Sequence, residues 1–435
     1  MISFAGAMRD SGVKSLGAIP AHWVVERNKT VLREINERSL GGEELLTVSH
    51  LTGVTPRADK QDVTMFLAES TDNCKRCQPM DLAINTMWAW MGALGIVSTP
   101  GIVSPSYNVY RFRRPSDHEP RYFDYLFRSA PYVAEINRYS KGVWTSRLRL
   151  YPESFLQMPV LLPPKREQQA IVNFLNNKTA AIDALIARKE RLFELLEEKR
   201  QALITHLVTK GVDAKAPTKD TGVEWLGEVP TAWGVCRLKH VMSRIVDCPH
   251  ETPEISPDFE VPAVRTTDVD RGRLNLADAQ RVSEETYRER TRRLVPAAGD
   301  ILYSREGRFG HAALVPPGVR LCLGQRMMMF RVREGHDPAY FMWALNAECV
   351  FRQVTRDTIG AVASRVNIPT VSNALVPCPP LHVQRAIAGR IVDELARIDR
   401  VLTTVSLSLT GLREYRQALV TAAVTGKMDV SRAAA

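Results

Sequence analysis

"RQALIT" at 200–205 runs into "HLVTKG", and 216 residues later "RQALVT" at 416–421 runs into "AAVTGK". One echoed hexapeptide of helix-forming residues arises by chance, so its surroundings decide whether it records a duplication. Carried backwards at the same offset, Pro163 and Pro164 meet Pro379 and Pro380, Gln168 meets Gln384, and Ile182 and Asp183 meet Ile398 and Asp399. Carried forwards, Val208 and Thr209 meet Val424 and Thr425. The hexamer is therefore the end of a gapless repeated segment of roughly fifty residues, long enough to be a structural unit copied whole.

A second repeat opens each half. "DSGVKSLGAIPAHW" at 10–23 matches "DTGVEWLGEVPTAW" at 220–233, and the register continues through Arg27 with Arg237 and Lys29 with Lys239. The segments between opener and closer share far less. "DLAIN" from Asp81 matches "DILYS" from Asp300, and "GVWTSR" at 142–147 matches "GAVASR" at 360–365. The chain thus reads as opener, divergent module and closer, written twice.

Each closer carries an apolar repeat with the spacing of a coiled-coil seam. In the first it runs through Leu175, Ile182, Leu185, Leu192, Leu196 and Leu203; in the second through Ile391, Ile398, Val401, Leu412 and Leu419, with Ser408 interrupting. Lys189, a poor seam residue, becomes Val405, so the two stripes complement each other as one antiparallel pair. The second helix is the weaker former, because Thr403, Thr404, Ser406, Ser408, Thr410 and Gly411 all have low helix propensity. Arg200, Gln201, Arg416 and Gln417 are expected to face solvent or a partner.

The divergent modules read as mixed α/β folds richer in strand than helix. Stretches such as "NVYRFRR" and "LGQRMMMFRVR" carry β-branched and aromatic residues punctuated by Gly, Pro, Asn and Asp. The expected architecture is α+β: module 1 over 1–162, a spacer helix over 163–213, module 2 over 214–378, a second spacer helix over 379–430 and a tail over 431–435. The two helices form an antiparallel coiled coil, and the whole has pseudo-twofold internal symmetry.

At 435 residues the chain is long enough for two or three cores. The apolar run "TMWAWMGALGIVSTPGIV" at 86–103 is broken by Ser98, Thr99 and Pro100 too early to span a membrane, and reads as buried strand and turn. No export-type leader is visible near residue 1. The seven scattered cysteines fit reduced thiols, so a cytoplasmic location is expected. "CKRC" at 74–77 has the spacing of half a zinc site, but no second close Cys or His pair completes it.

A formal net charge of +10 points to a polyanionic partner. The modules contribute little of it: residues 24–160 hold 17 basic against 15 acidic groups, and residues 235–377 hold 20 against 17. Recognition must come from local patches. In "NRYSKGVWTSRLRLY" at 137–151, Arg138, Lys141, Arg147 and Arg149 have no acid among them, with Tyr139, Trp144 and Tyr151 interleaved and Ser146 alongside. In module 2, "YSREGRFGHA" at 303–312 sets Ser304, Arg305 and Arg308 in a glycine-containing loop, and Ser364, Arg365 and Arg326 join them. Guanidinium groups grip phosphates or read guanine edges, and hydroxyls serve either purpose. Trp144 is weighted towards the module core rather than the surface.

Catalytic signatures are missing. A base-flipping methyltransferase would carry an Asn/Asp-Pro-Pro-aromatic loop, yet the Pro-Pro pairs follow Leu162, Cys378 and Val315. "GRFGHA" has neither the length nor the ending of a nucleotide-binding loop, and Glu197 and Glu198 lie on the polar flank of a helix. The chain reads as a binder. A 40-residue helix is about 60 Å long, whereas DNA half-sites one turn apart are separated by about 34 Å, so paired helices can space two readers.

With openers "LGAIPAHW" and "LGEVPTAW" and closers "PPKREQQAIVNFL" and "PPLHVQRAIAGRI", the whole chain resembles the specificity subunits of type I restriction-modification systems. The resemblance implies two target-recognition domains, each reading one half of an asymmetric bipartite DNA site, with helices that set the gap. It implies two modification subunits and two restriction subunits as partners, with S-adenosylmethionine, ATP and Mg on those partners and no cofactor or catalytic residue in this chain. A fused restriction enzyme with its own chemistry, or a coiled-coil scaffold without base readout, are the alternatives.

Overall fold

The structure, a computed structural model, describes residues 6–59, 71–144, 147–249, 251–307, 309–356 and 366–430. It divides into two compact units: Met1–Glu190 with Leu407–Ala435, and Arg191–Ser406. Two long helices, Lys165–Lys210 and Leu381–Val424, each contribute one half to each unit.

In the first unit the opener folds as a hairpin, Met8–Asp10 against Ala18–Pro20. A ribbon of Val24–Arg27 and Pro159–Leu162 forms the neck through which the module's chain enters and leaves. The module is built on an antiparallel sheet ordered Leu32–Ile35, Asn108–Phe112, Leu82–Ile84, Leu94–Ile96. Helices Pro120–Phe127 and Ala130–Tyr139 cover it with Tyr122, Phe123, Phe127 and Tyr132, all fully buried. Each such side chain contributes a few kcal/mol of burial, about 1.5–3 for Phe. The same core takes in Leu175 of the first long helix and Leu419, Val420 and Val424 of the second.

The second unit repeats this plan. Its opener pairs Thr218–Asp220 with Glu228–Pro230, its neck pairs Gly234–Arg237 with Leu375–Cys378, and its sheet runs Met242–Asp247, Met327–Val332, Ile301–Ser304, Ala312–Leu314. The sparse sequence anchors mark the shared frame. Asp81 is buried and accepts two hydrogen bonds from Arg111 at 2.8 Å; Asp300 does the same for Arg331 at 2.8 and 2.7 Å. Gln168 donates to Pro163 O and accepts from Glu119 N, as Gln384 donates to Pro379 O and accepts from Asp337 N. Tyr122 and Tyr340 each reach the last turn of a long helix, at Val424 O and Val208 O. Conserving these polar ties keeps buried donors satisfied while the exposed residues diverge.

The openers close the plan. Gly211 (φ 76°) ends the first long helix, and a Cβ there would lie 2.9 Å from the ring of Trp233. Gly426 (φ 69°) ends the second, where a Cβ would lie 2.3 Å from Pro20 and 3.0 Å from Trp23. A left-handed glycine just past a helix is the usual stop; here it also admits the opener's tryptophan. The opener next in sequence seats on the first helix, and the opener at residue 10 seats on the second.

The seam needs correction. Buried and half-buried positions follow an unbroken 4-3 alternation: Leu175, Thr179, Ile182, Ile186, Lys189, Phe193, Leu196, Arg200, Leu203 and Leu207 in one helix, and Ile391, Leu395, Ile398, Leu402, Val405, Leu409, Leu412, Arg416 and Leu419 in the other. Leu185, Leu192 and Val401, expected on the seam, are exposed and each precedes a seam residue by one position. Ile186 and Phe193, rather than the leucines beside them, carry the stripe. The Ser/Thr-rich stretch of the second helix stays helical because its inward side is the apolar set Leu402, Val405 and Leu409, while Thr403 and Thr404 bond back to the carbonyls of Asp399 and Arg400. Arg200 is buried rather than solvent-facing, and Gln201 donates to Asn346 O. No helix among the described residues is long and apolar enough to cross a membrane.

Candidate nucleic-acid interface

At the end of helix Ala130–Tyr139 the chain turns into a narrow loop. Lys141 and Arg149 form an antiparallel bridge, exchanging two backbone hydrogen bonds of 2.9 Å, and Arg147 N bonds to Trp144 O at 2.8 Å. Gly142 permits this constriction: a Cβ there would lie 2.8 Å from Arg147 O. The loop is moored to the module by Leu150 N bonding Thr86 O. Among the described residues Lys141, Arg147 and Arg149 have no ion pair, so their charge is open to a ligand. Arg138 differs: it pairs with buried Glu135 at 2.7 Å and stacks over Tyr139, facing the cleft beside Arg27 and Lys29.

Trp144 is not in the core. It is 69% exposed and its neighbour Val143 is 94% exposed, because the bridge ends before them and no element among the described residues covers the tip. Beside the loop lies an open groove of about 780 Å³ lined by Met87, Trp88, Trp90, Lys141, Arg147, Arg149 and Tyr151. Trp88 stacks in parallel with Trp90 and His50, each at 6.5 Å, and is half exposed. The reading of residues 86–103 as buried strand and turn fits Leu94–Ile96 and Gly101–Val103, both buried throughout, but missed Trp88. Two tryptophans either side of buried Ala89 were the available signal, since residues two apart in an extended stretch share a face opposite the residue between them.

The second module places its candidates differently. Ser304 and Arg305 are buried, Arg305 with only 3% of its surface exposed. Its guanidinium lies 3.8 Å from Asp247, and its backbone bonds Arg326 O and Val366 N, so it supports the loop from beneath instead of presenting charge. Arg326 is the exposed member, held in the left-handed region at φ 67° and paired with Glu306 at 3.1 Å. A non-glycine residue kept there is strained and worth attention as a functional position. Ser146, Arg308, Ser364 and Arg365 lie outside the described residues.

Elsewhere the chemistry is quiet. Cys74 and Cys77 of the "CKRC" motif are buried, and burial pushes the Cys77 thiol up to about 12, away from the thiolate a metal or redox site needs. Among the described residues no group of three His, Cys, Asp or Glu side chains is placed to hold a metal ion.

Two copies of one mixed module, each carried on paired long helices, define the class: an internally duplicated chain of two modules and two long helices. No protein-family model matches it. Its curated relatives are specificity subunits of type I restriction enzymes. The MjaVIII specificity subunit of Methanocaldococcus jannaschii is 26% identical over 57% of this chain, and the EcoBI specificity subunit of Escherichia coli is 21% identical over 70%. The matches span 58% and 65% of those relatives, under two thirds of either. A solved structure concerning complex assembly and conformational transition of the type I restriction-modification system holds a chain of the same fold, with TM-score 0.62 and 16% identity over 94% of this chain and 99% of that one.

Proposed function

We propose that this chain is the DNA-recognition subunit of a type I restriction-modification complex. Each module reads one half of an asymmetric bipartite site, and the paired helices set the gap and dock two modification subunits, with two restriction subunits completing the assembly. Methyl transfer, translocation and cleavage belong to those partners with their S-adenosylmethionine, ATP and Mg; the location is the cytoplasm. The observation that carries this reading is one fold built twice with unlike surfaces: unpaired Lys141, Arg147 and Arg149 beside tryptophans in the first module, and Arg326 over a buried Arg305 in the second. A single reader or a plain scaffold needs no such divergence on a conserved frame. Base reading is assigned to these patches, because the net charge of each module is too small to bind by field alone.

The test is methylome sequencing of a host that expresses the chain with its modification subunit. An asymmetric bipartite adenine motif, changed in one half when one module is exchanged, is expected. Methylation by the purified chain alone would favour the fused enzyme, and equal binding of random and target duplexes at matched salt would favour a scaffold.

A further inference from the structure

Val143 and Trp144, the two described residues at the tip of the 141–149 loop, are ill suited to reading base edges. Val143 offers no hydrogen bond and Trp144 only an indole N–H, yet these are among the most exposed apolar side chains of the unit. Two adjacent apolar side chains this exposed form one projecting contact surface of a kind often used to bind a partner. Its stem is the reverse: Lys141 and Arg149 bridge across the loop base and Arg147 follows, all cationic and all without an acid partner among the described residues. The pinch at Gly142, where any Cβ would meet Arg147 O at 2.8 Å, fixes the tip on a narrow support. Charge at the stem suits phosphates on either side of a groove, and the tip then meets the base stack between them.

On this basis, and resting on the DNA reading proposed above, we infer that Val143 and Trp144 form a wedge that enters the duplex between two base steps of the first module's half-site and kinks it. Apolar side chains inserted in this way unstack a step and bend the helix by tens of degrees, and the energy cost depends on the step. The wedge therefore adds selectivity for an easily unstacked step at a position no side chain hydrogen-bonds. The groove lined by Trp88 and Trp90 lies beside the same loop and adds aromatic surface next to the unstacked step.

The experiment uses the full chain with its modification subunit and a short duplex bearing the methylome-defined site, with 2-aminopurine substituted in turn at each position of the half-site. The wild type is expected to raise fluorescence at one step and to shorten the end-to-end distance measured by energy transfer. Trp144→Ala is expected to abolish both signals and weaken binding about 10- to 100-fold, as loss of one stacked aromatic does, while Trp144→Phe retains both. Unchanged fluorescence, bend and affinity in Trp144→Ala overturn the wedge and leave the recognition role standing. Loss of the modification subunit from Trp144→Ala, with DNA affinity intact, overturns it in favour of a protein contact. A wild-type complex that does not prefer the target duplex overturns the recognition role itself.

Discussion

Arg416 of the second long helix grips Asp183 of the first through two hydrogen bonds, Nε to Oδ1 at 2.7 Å and Nη2 to Oδ2 at 3.0 Å. The same two sequence positions in the other copy pair Arg200 with Asp399 at 3.5 Å. Each arginine from one repeated hexamer thus meets the aspartate of the other repeat's "ID". The partnership is reciprocal, as a duplicated antiparallel pair requires. The surroundings differ, however. Arg416 and Asp183 are partly solvated, whereas Arg200 is buried, donates to Arg271 O at 2.9 Å, and shares Asp399 with Arg273.

Removing these arginines should therefore have unequal effects. Arg416→Ala is expected to cost under about 1 kcal/mol, as exposed pairs do. Arg200→Ala strands part of a buried network and is expected to cost about 3 kcal/mol. Denaturant unfolding of both variants compares them, and equal losses would contradict the difference in burial.

Gly272 sits in the tight turn joining Val269–Asp270 to Arg273–Leu274, at φ 92°, where a Cβ would fall 2.3 Å from the indole of Trp343. Gly272→Ala combines left-handed strain with a clash and is expected to destabilise by about 3 kcal/mol. The same turn carries Arg271 and Arg273, which meet Glu197 and Asp399, so proteolysis of this variant should begin near the turn.

His118 and His336 occupy matching places before a helix, edge-on to Phe123 and Phe341, and burial lowers the pKa of each. Their unfolded values, about 6.5, lie above the folded ones, so the unfolded chain binds more protons as pH falls. Stability should therefore drop from about pH 6.5 downwards. Melting temperatures across pH 7 to 5 should fall less steeply in the His118→Asn, His336→Asn double variant.

Arg147→Ala is expected to weaken binding through the first module's half-site, and Arg149→Ala to reduce the salt slope by about one if it contacts phosphate. Arg305→Ala should instead lower the melting temperature, because Arg305 is structural support in the second module. Binding isotherms over a salt series, with each half-site scrambled in turn, distinguish the three.

Lengthening the spacer tests the gap. A heptad inserted after Lys189 and another after Val405 keep the 4-3 alternation of both helices, and the methylome motif should then show a longer gap. A heptad in one helix alone puts Arg416 out of register with Asp183 and should abolish methylation.

The sequence carried the duplication, and the structure resolves it into duplicate ties that include Asp81 with Arg111 and Asp300 with Arg331. It also carried the cationic loop from Arg138 to Arg149. The seam was half legible: Leu175, Ile182, Leu196, Leu203, Ile391, Ile398, Leu412 and Leu419 lie on it, but apolar spacing alone also admits Leu185, Leu192 and Val401, each one position before the packed Ile186, Phe193 and Leu402. In the second module Arg305, two residues before Gly307, reads as a surface residue, and nothing local announces that Asp247, far off in sequence, draws it inward.

Sequence alone determined what repetition and periodicity can encode: two modules, two long helices and antiparallel pairing. Tertiary structure decided which side chains meet solvent. Whether Trp144 or Arg305 is covered depends on chain distant in sequence, and burial is a property of packed surfaces that no residue carries by itself.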